Sequence, residues 1–500
     1  MFVLHLLPSL LLLFFRLSGV YALLSEEVHP RANVATTCAQ IESAISSASS
    51  VYYPASIQWT QDILHWASNA AQSSACSVEP GSVQDVAIIM QILASTQTPF
   101  AVKGGGHSPN IGFSSTTGVQ IAMSRFSDVN YDAASGTAEI GAGLIWDDVY
   151  DALTPQGVNV IGGRVTGVGV AGFTLGGGYS WKTNQYGLTI DSMVSYELVL
   201  PNGTIVYPSA TSYPDLFWAL KGAGQVNFGI VTQFTMKAYP QTDVWGGSIT
   251  YPVTELNAVA NAIIQFNSQN TDPKASILPT FGVTLDLPIA IVILFYDAPT
   301  PPTGTFDAFF NVPWVYYDLS TQPYGDMVRS TPSNLTMYNR LAFNTAPVYN
   351  LSSAVLAQVI NQTIYYGDTD TLLGELLDGS WYFSIDVEPF LPSAFTNNNQ
   401  GGSYPHEDAL LPICFTFSWE SSLDDSFWMN AIQDSANIVT QTAIAEGQPL
   451  TGAEMIKYNN YAPANTPLDQ LYGSNLARLQ SIKAQYDPNN VMGLTGGFKL

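Results

Sequence analysis

Two glycine-dense stretches constrain this chain more than anything else in it. The first is Lys103-Gly-Gly-Gly-His-Ser108, and the apolar run Pro99–Val102 ahead of it reads as a short buried strand. Three successive glycines let the backbone take conformations closed to other residues and come close to a ligand. Consecutive N–H groups in such a turn form a concavity that suits anions. His107 follows, where its side chain would face whatever the loop holds; the competing reading is a tight glycine turn with an incidental histidine. A GxxxxGK[ST] phosphate loop is excluded, because no Gly-Lys-Ser/Thr follows. The second stretch runs from Gly162 to Tyr179 and contains a literal G-x-G-x-x-G at Gly167, Gly169 and Gly172. A Rossmann reading needs an uninterrupted helix after those glycines, and Gly176-Gly-Gly178 breaks one within a turn. The stretch reads instead as irregular backbone wrapped around a large planar or diphosphate-bearing ligand.

The 500 residues exceed one ordinary core, so two domains are expected. A formal charge of -24 argues against nucleic acid and anionic membranes as partners. Residues 2–15 form an apolar run too short for a membrane span, and Val20-Tyr-Ala22 supplies small residues for cleavage, so residues 1–22 read as a signal peptide. Sequons at Asn202, Asn334, Asn350 and Asn361 fit a secreted glycoprotein. Of three cysteines, Cys38 and Cys76 bracket one N-terminal segment and could be bridged in an oxidising compartment. Cys414 lies in an apolar strand and reads as buried and inert. No metal site is read.

Along the chain, Ile57–Ala71 has helical apolar spacing, and Ser82-Val-Gln-Asp85 has the form of a capping box opening a buried helix. Strands are read at 119–122 and 137–141, and a helix at 145–153. Pro201-Asn-Gly203 joins two strands as a hairpin. A helix at 215–221 and a strand at 228–237 close this region at Pro240. After it come a helix at 255–266, a strand at 289–295 and an aromatic-rich alternation of strands and loops. That second region suits one sheet with helices on its outer face and the other face covering the ligand of the first. Tyr317, Tyr365, Trp381, Tyr382 and Phe383 read mainly as core, with some free to stack on a sugar or a flat metabolite.

Both glycine segments, Asp215–Gly222 running into Asn227–Val231, and Tyr458-Asn-Asn-Tyr461 with Tyr486-Asp-Pro488 together resemble the secreted FAD-linked oxidases of the vanillyl-alcohol-oxidase superfamily, berberine-bridge-enzyme-like branch, fungal type. The resemblance implies an α+β fold. It has a two-lobed PCMH-type FAD-binding domain over residues 72–240, preceded by a segment at 23–71. A substrate domain with an antiparallel sheet backed by helices spans residues 241–455, and residues 456–500 return to the FAD domain. It implies FAD carried covalently by His107, with Lys103, Gly104, Gly105, Gly106, Ser108, Gly167, Gly169, Gly172, Gly177, Gly178, Tyr179, Gly187, Ile230 and Asn460 around it. Tyr461 and Tyr458 are the implied catalytic residues.

Three departures from that family pattern matter. Many members bond the flavin a second time through a cysteine, where Gly163-Arg-Val165 here offers valine, so a single bond is implied. Many have His-Arg where this chain has His406-Glu407. Many carry a glutamate base in the following strand, and Leu411-Pro-Ile-Cys-Phe415 has no carboxylate. Attention therefore moves to Tyr461 as base, with the group that stabilises its anion expected from elsewhere in the chain. The expected activity is a secreted, monomeric oxidase of an alcohol, sugar or secondary metabolite, with O₂ as acceptor and H₂O₂ as product. The alternative is an extracellular flavin-binding glycoprotein without turnover.

Overall fold

The structure, a computed structural model, describes residues 33–284, 287–330, 337–367, 381–407, 410–450 and 455–500. The expected signal peptide at 1–22 and the sequon at Asn334 lie outside them.

The first lobe is built on a four-stranded sheet of order β1-β2-β4-β3, from β1 (Ser50–Tyr52), β2 (Cys76–Glu79), β3 (Phe100–Lys103) and β4 (Val119–Ala122). β4 pairs with β2 and with β3 in parallel, and the helix Val83–Thr96 makes the crossover. Its start is fixed as the sequence implies, with the Ser82 hydroxyl accepting from Asp85 N at 3.2 Å. Val86, Ile89, Met90 and Leu93 recur at helical spacing and are buried in the core. A Cys38–Cys76 disulfide, Cα–Cα 6.2 Å, ties the helix Val34–Ala44 to β2. Closing that loop stabilises the fold by about 3–4 kcal/mol on chain-entropy grounds.

The expected helix over Ile57–Ala71 is shorter than its apolar spacing implies. It runs over Ile57–Ile63, and Leu64 turns extended. The Lys103 ammonium takes the carbonyls of Gln61 and Leu64 at 3.0 and 2.9 Å, and Trp66 N donates to Gly106 O. Bonds to the glycine loop thus outcompete continuation of the helix.

Next come β5 (Val129–Asp132), β6 (Thr137–Gly141), β7 (Val158–Asn159), β8 (Met193–Val199), β9 (Ile205–Val206), β10 (Ile230–Lys237) and β11 (Tyr239–Pro240). Five of them form an antiparallel sheet of order β5-β6-β10-β8-β9. The β8–β9 hairpin turns at Gly203, whose φ of +83° needs glycine.

The second lobe is a seven-stranded antiparallel sheet of order β15-β12-β14-β13-β17-β18-β16. Its strands are β12 (Val244–Pro252), β13 (Ala275–Thr284), β14 (Leu287–Tyr296), β15 (Tyr316–Gln322), β16 (Arg340–Val348), β17 (Trp381–Val387) and β18 (Leu411–Trp419). Successive side chains on a strand point to opposite faces. Phe281, Val292, Leu294, Phe383, Ile385, Ile413, Phe415 and Phe417 therefore share one face, in a core with the helices Leu256–Gln269, Ser353–Gly367 and Asp425–Ala445. The alternate residues Leu278, Thr280, Ile291, Ile293, Ser384, Asp386, Cys414 and Thr416 line a cavity on the opposite face. This is the α+β arrangement expected, with helices behind the sheet and the open face toward the glycine loops. Cys414 is buried and unbridged, and its thiol is pushed well above the ordinary value by burial.

Candidate active site

The two glycine segments meet backbone to backbone. A Cβ on Gly105 would stand 2.6 Å from Gly169 Cα, and one on Gly169 would stand 2.5 Å from Gly105 N. Only glycine at both positions allows that approach, and the paired segments form one wall of a cavity of about 370 Å³. Its walls include Gly104, Gly105, Gly106, His107, Ser108, Gly169, Gly172, Tyr179, Ile230, Tyr458, Asn460 and Tyr461. Five residues expected at the cofactor are not in the wall. Lys103 is turned to the Gln61 and Leu64 carbonyls, and burial lowers its pKa to about 8. Gly167 N is bonded to Asp147, Gly178 N to the Tyr458 hydroxyl, and Gly177 packs on Tyr458. Gly187, at φ +82°, ends the short helix Thr183–Tyr186 against Asp191. These residues shape the wall from behind.

His107 stacks on Trp66 with ring centroids 4.0 Å apart and planes 10° apart. Its Nε2 is buried without a hydrogen-bond partner, and burial pushes the ring's pKa down to about 4. A neutral imidazole with an unengaged nitrogen at the wall of a cavity is chemically fitted to bond a ligand carbon there. Gly104, Gly105 and Gly106 line the cavity, where a turn of successive backbone N–H groups suits a diphosphate, and a Cβ on Gly172 would meet nothing within 4 Å. The residues present therefore fit FAD. Val165 also lines the cavity.

The same cavity is lined by a cluster that local sequence spacing does not reveal. The Tyr461 hydroxyl donates to Glu388 Oε1 at 2.9 Å. Arg164 Nη2 lies 2.5 Å from Glu388 Oε2 and 3.2 Å from the Tyr461 hydroxyl. The guanidinium also sits over the Phe390 ring, 5.5 Å from its centroid. Burial, and then the charge of Glu388, holds the Tyr461 phenol well above the ordinary tyrosine value, with Arg164 partly offsetting them. Of this ion pair only Arg164 favours the phenolate. The stretch Leu411–Phe415 in β18 has no carboxylate, as the sequence shows, but Glu388 follows directly on the neighbouring β17. Asp386, two residues earlier, faces the same cavity and accepts from the Thr280 hydroxyl at 2.7 Å. Burial raises its pKa to about 6, with the charge of Glu388 acting in the same direction.

The period-2 pattern of Tyr382-Phe-Ser-Ile-Asp-Val-Glu388, polar on one face and apolar on the other, was the available signal for both carboxylates. Arg164 had none beyond its place in the second glycine run. Tyr458 accepts from Gly178 N at 3.0 Å and from Asn460 Nδ2 at 2.6 Å, so it braces the wall. Lys457 is buried, and its backbone N–H donates to Gln470 O. Of the aromatics singled out, Tyr382 reaches the cavity, Phe383 is core, and Tyr317 and Tyr365 are exposed. Asn202, Asn350 and Asn361 are exposed.

Residues 74–207 match the family described as FAD binding domain, and residues 457–495 match berberine and berberine like. An uncharacterized FAD-linked oxidoreductase of Arthroderma benhamiae is 36% identical over 361 residues, covering 70% of this chain and 71% of that protein. The FAD-dependent monooxygenase drtC of Aspergillus calidoustus is 30% identical over 444 residues, covering 86% and 83%. Among solved structures, the glucooligosaccharide oxidase of Acremonium strictum, described with a 6-S-cysteinyl, 8α-N1-histidyl FAD, superposes with TM-score 0.72 at 19% identity, covering 92% of this chain and 97% of that one. A matching FAD-binding segment, a matching C-terminal segment and fungal relatives along most of the chain make this protein a FAD-linked oxidoreductase of the berberine-bridge-enzyme-like branch of the vanillyl-alcohol-oxidase superfamily.

Proposed function

We propose that the protein is a secreted oxidase that removes a hydride and a proton from an alcohol, sugar or secondary metabolite, with O₂ as acceptor and H₂O₂ as product. Residues 72–240 with 456–500 form the cofactor domain in this reading, and residues 241–455 form the substrate domain. FAD, held by His107 through a single bond, supplies the hydride acceptor. The observation that carries the reading is the Tyr461–Glu388–Arg164 cluster lining the same cavity as His107. A buried phenol with a raised pKa is a poor standing base. Tyr461 acts as a relay: its oxygen receives the proton of the substrate hydroxyl while its own proton passes to Glu388. Arg164 balances the negative charge shared by the two oxygens and keeps both oriented. A binding protein without turnover loses its motive, because a carboxylate partner for Tyr461 is present.

Leu278, Ile291, Ile293 and Phe343 give the substrate side an apolar wall, and Thr280, Ser384, Asp386 and Thr416 give it a polar floor. That combination favours a metabolite with an apolar skeleton and a few hydroxyls over a long oligosaccharide. Peroxide release across panels of alcohols, oligosaccharides and aromatic metabolites would find a substrate. With it, Tyr461→Phe and Glu388→Gln are each expected to slow flavin reduction by about 10²-fold while leaving flavin content intact. Reduction at the wild-type rate in both variants would overturn the relay.

A further inference from the structure

We propose that Trp66 is the positioning residue for covalent attachment of the flavin: its indole, stacked on His107, fixes the imidazole and shuts water from it while the bond forms. The proposal rests on the reading of His107 as the flavin-bearing residue. Trp66 is 41 positions away in sequence, yet its ring lies nearly parallel to the imidazole at 4.0 Å, and Phe343 lies 5.6 Å from Trp66 and 6.4 Å from His107. Both aromatics line the same cavity as His107.

The tryptophan is held from both sides. Its backbone N–H donates to Gly106 O at 3.1 Å, pairing it with the residue just before His107, and its carbonyl accepts from Tyr338 N at 2.7 Å. Asn69, on the same segment, bonds both ways with the backbone of Leu341 in β16, at 2.8 and 3.0 Å. The indole N–H is itself buried without a partner. A tryptophan that forgoes its own hydrogen bond has its position set by the stack and these backbone clamps, not by the polar edge of its ring.

Attachment needs a neutral imidazole whose nitrogen is held toward the 8α-methyl carbon. An imidazole nitrogen joins that carbon; one methyl hydrogen and the imidazole N–H leave as two protons. FAD bound here would supply the path for the two electrons of the broken C–H bond, and O₂, taking up both electrons and both protons, would leave as H₂O₂. Stacking removes the ring rotations that would aim the nitrogen elsewhere. Enclosure keeps the ring uncharged through the range in which a free histidine titrates. Titratable groups on the surrounding elements include His65, Lys103, Arg340 and Tyr461. Each is engaged elsewhere: His65 with Ile63 and Ser114, Lys103 with Gln61 and Leu64, Arg340 with Asp425, and Tyr461 with Glu388.

The test compares the full chain with Trp66→Phe, Trp66→Leu, Trp66→Ala and His107→Ala, each isolated with FAD. Acid-stable flavin is read by gel fluorescence and located on the His107 peptide by mass spectrometry. Trp66→Phe, which keeps a ring, should attach its flavin as the wild type does. Trp66→Leu and Trp66→Ala should retain acid-labile FAD to the level of His107→Ala, and convert it at least tenfold more slowly. That residual conversion should rise between pH 5 and 7, as the uncovered imidazole regains its ordinary titration, whereas wild-type attachment should be flat over the same range. Trp66→Leu or Trp66→Ala isolated with fully acid-stable flavin would overturn the role of Trp66 and leave His107 untouched. Wild-type protein that releases its flavin in acid would overturn the His107 reading and this proposal together.

Discussion

At the scale of single residues, the site is decided by charges removed from water. Arg164 and Glu388 are both buried and bonded to each other. Replacing one partner leaves the other as an uncompensated buried charge, which typically costs about 3–5 kcal/mol. Arg164→Leu is therefore expected to lower the denaturation midpoint sharply, and Arg164→Leu with Glu388→Gln to recover most of the loss; equilibrium unfolding in urea measures both. Asp386 gives a pH signature of known sign. Its folded pKa of about 6 lies above the ordinary carboxylate value, so the folded state binds more protons between roughly pH 4 and 6. Its contribution to stability is present at the acid end of that window and is lost as pH rises through 6. Asp386→Asn should remove that slope, so the wild type should fall relative to the variant by up to about 3 kcal/mol from pH 4 to 6. Parallel stability curves for the two proteins would show that Asp386 is not held protonated.

At the scale of elements, the glycine segments act through close approach and not only through flexible turns. Gly105→Ala drives a Cβ into the Gly169 backbone, which has no side chain to move aside. The variant should lose about 1–3 kcal/mol and retain little flavin. Gly172→Ala meets no protein atom within 4 Å at a residue that lines the cavity, so it should unfold like the wild type and still bind flavin less tightly. Melting curves beside flavin content per chain separate the two effects. β17 makes the complementary point about strands. Its alternation sends Phe383 and Ile385 to the helices and Ser384 and Asp386 to the cavity, and a slip of one residue would exchange the two sets.

At the scale of the whole molecule, the site is an assembly of distant pieces. Trp66, His107, Arg164, Glu388 and Tyr461 come from five separate stretches, and the C-terminal segment must close on the first lobe for Tyr461 to reach the cavity. Asn110 is one of the ties, donating to Ala462 O at 2.9 Å and accepting from Ala464 N at 3.2 Å. Asn110→Ala should cost about 1–2 kcal/mol. It should also slow flavin reduction severalfold, without altering flavin content, because Tyr461 loses its anchor while His107 keeps its own. Stopped-flow reduction with a substrate found by peroxide release would check it; an unchanged rate would mean that Tyr461 is held by Glu388 and Arg164 alone.

The sequence makes local chemistry legible along the chain. Glycines close a loop that only glycine permits, Ser82 starts a helix, Pro201-Asn-Gly203 turns a hairpin, and the motifs at His107 and Tyr461 point to a flavin enzyme. It misjudged Ile57–Ala71 because helical spacing says nothing of the Lys103 and Gly106 groups that claim this backbone. It read Tyr461 without its partner because Glu388 and Arg164 lie 73 and 297 residues away from it. Spacing along a chain encodes which residues share a helix face or a strand face. Which faces meet, and so which charges neutralise one another and which imidazole is shut from water, is decided only when the two lobes pack around the cavity.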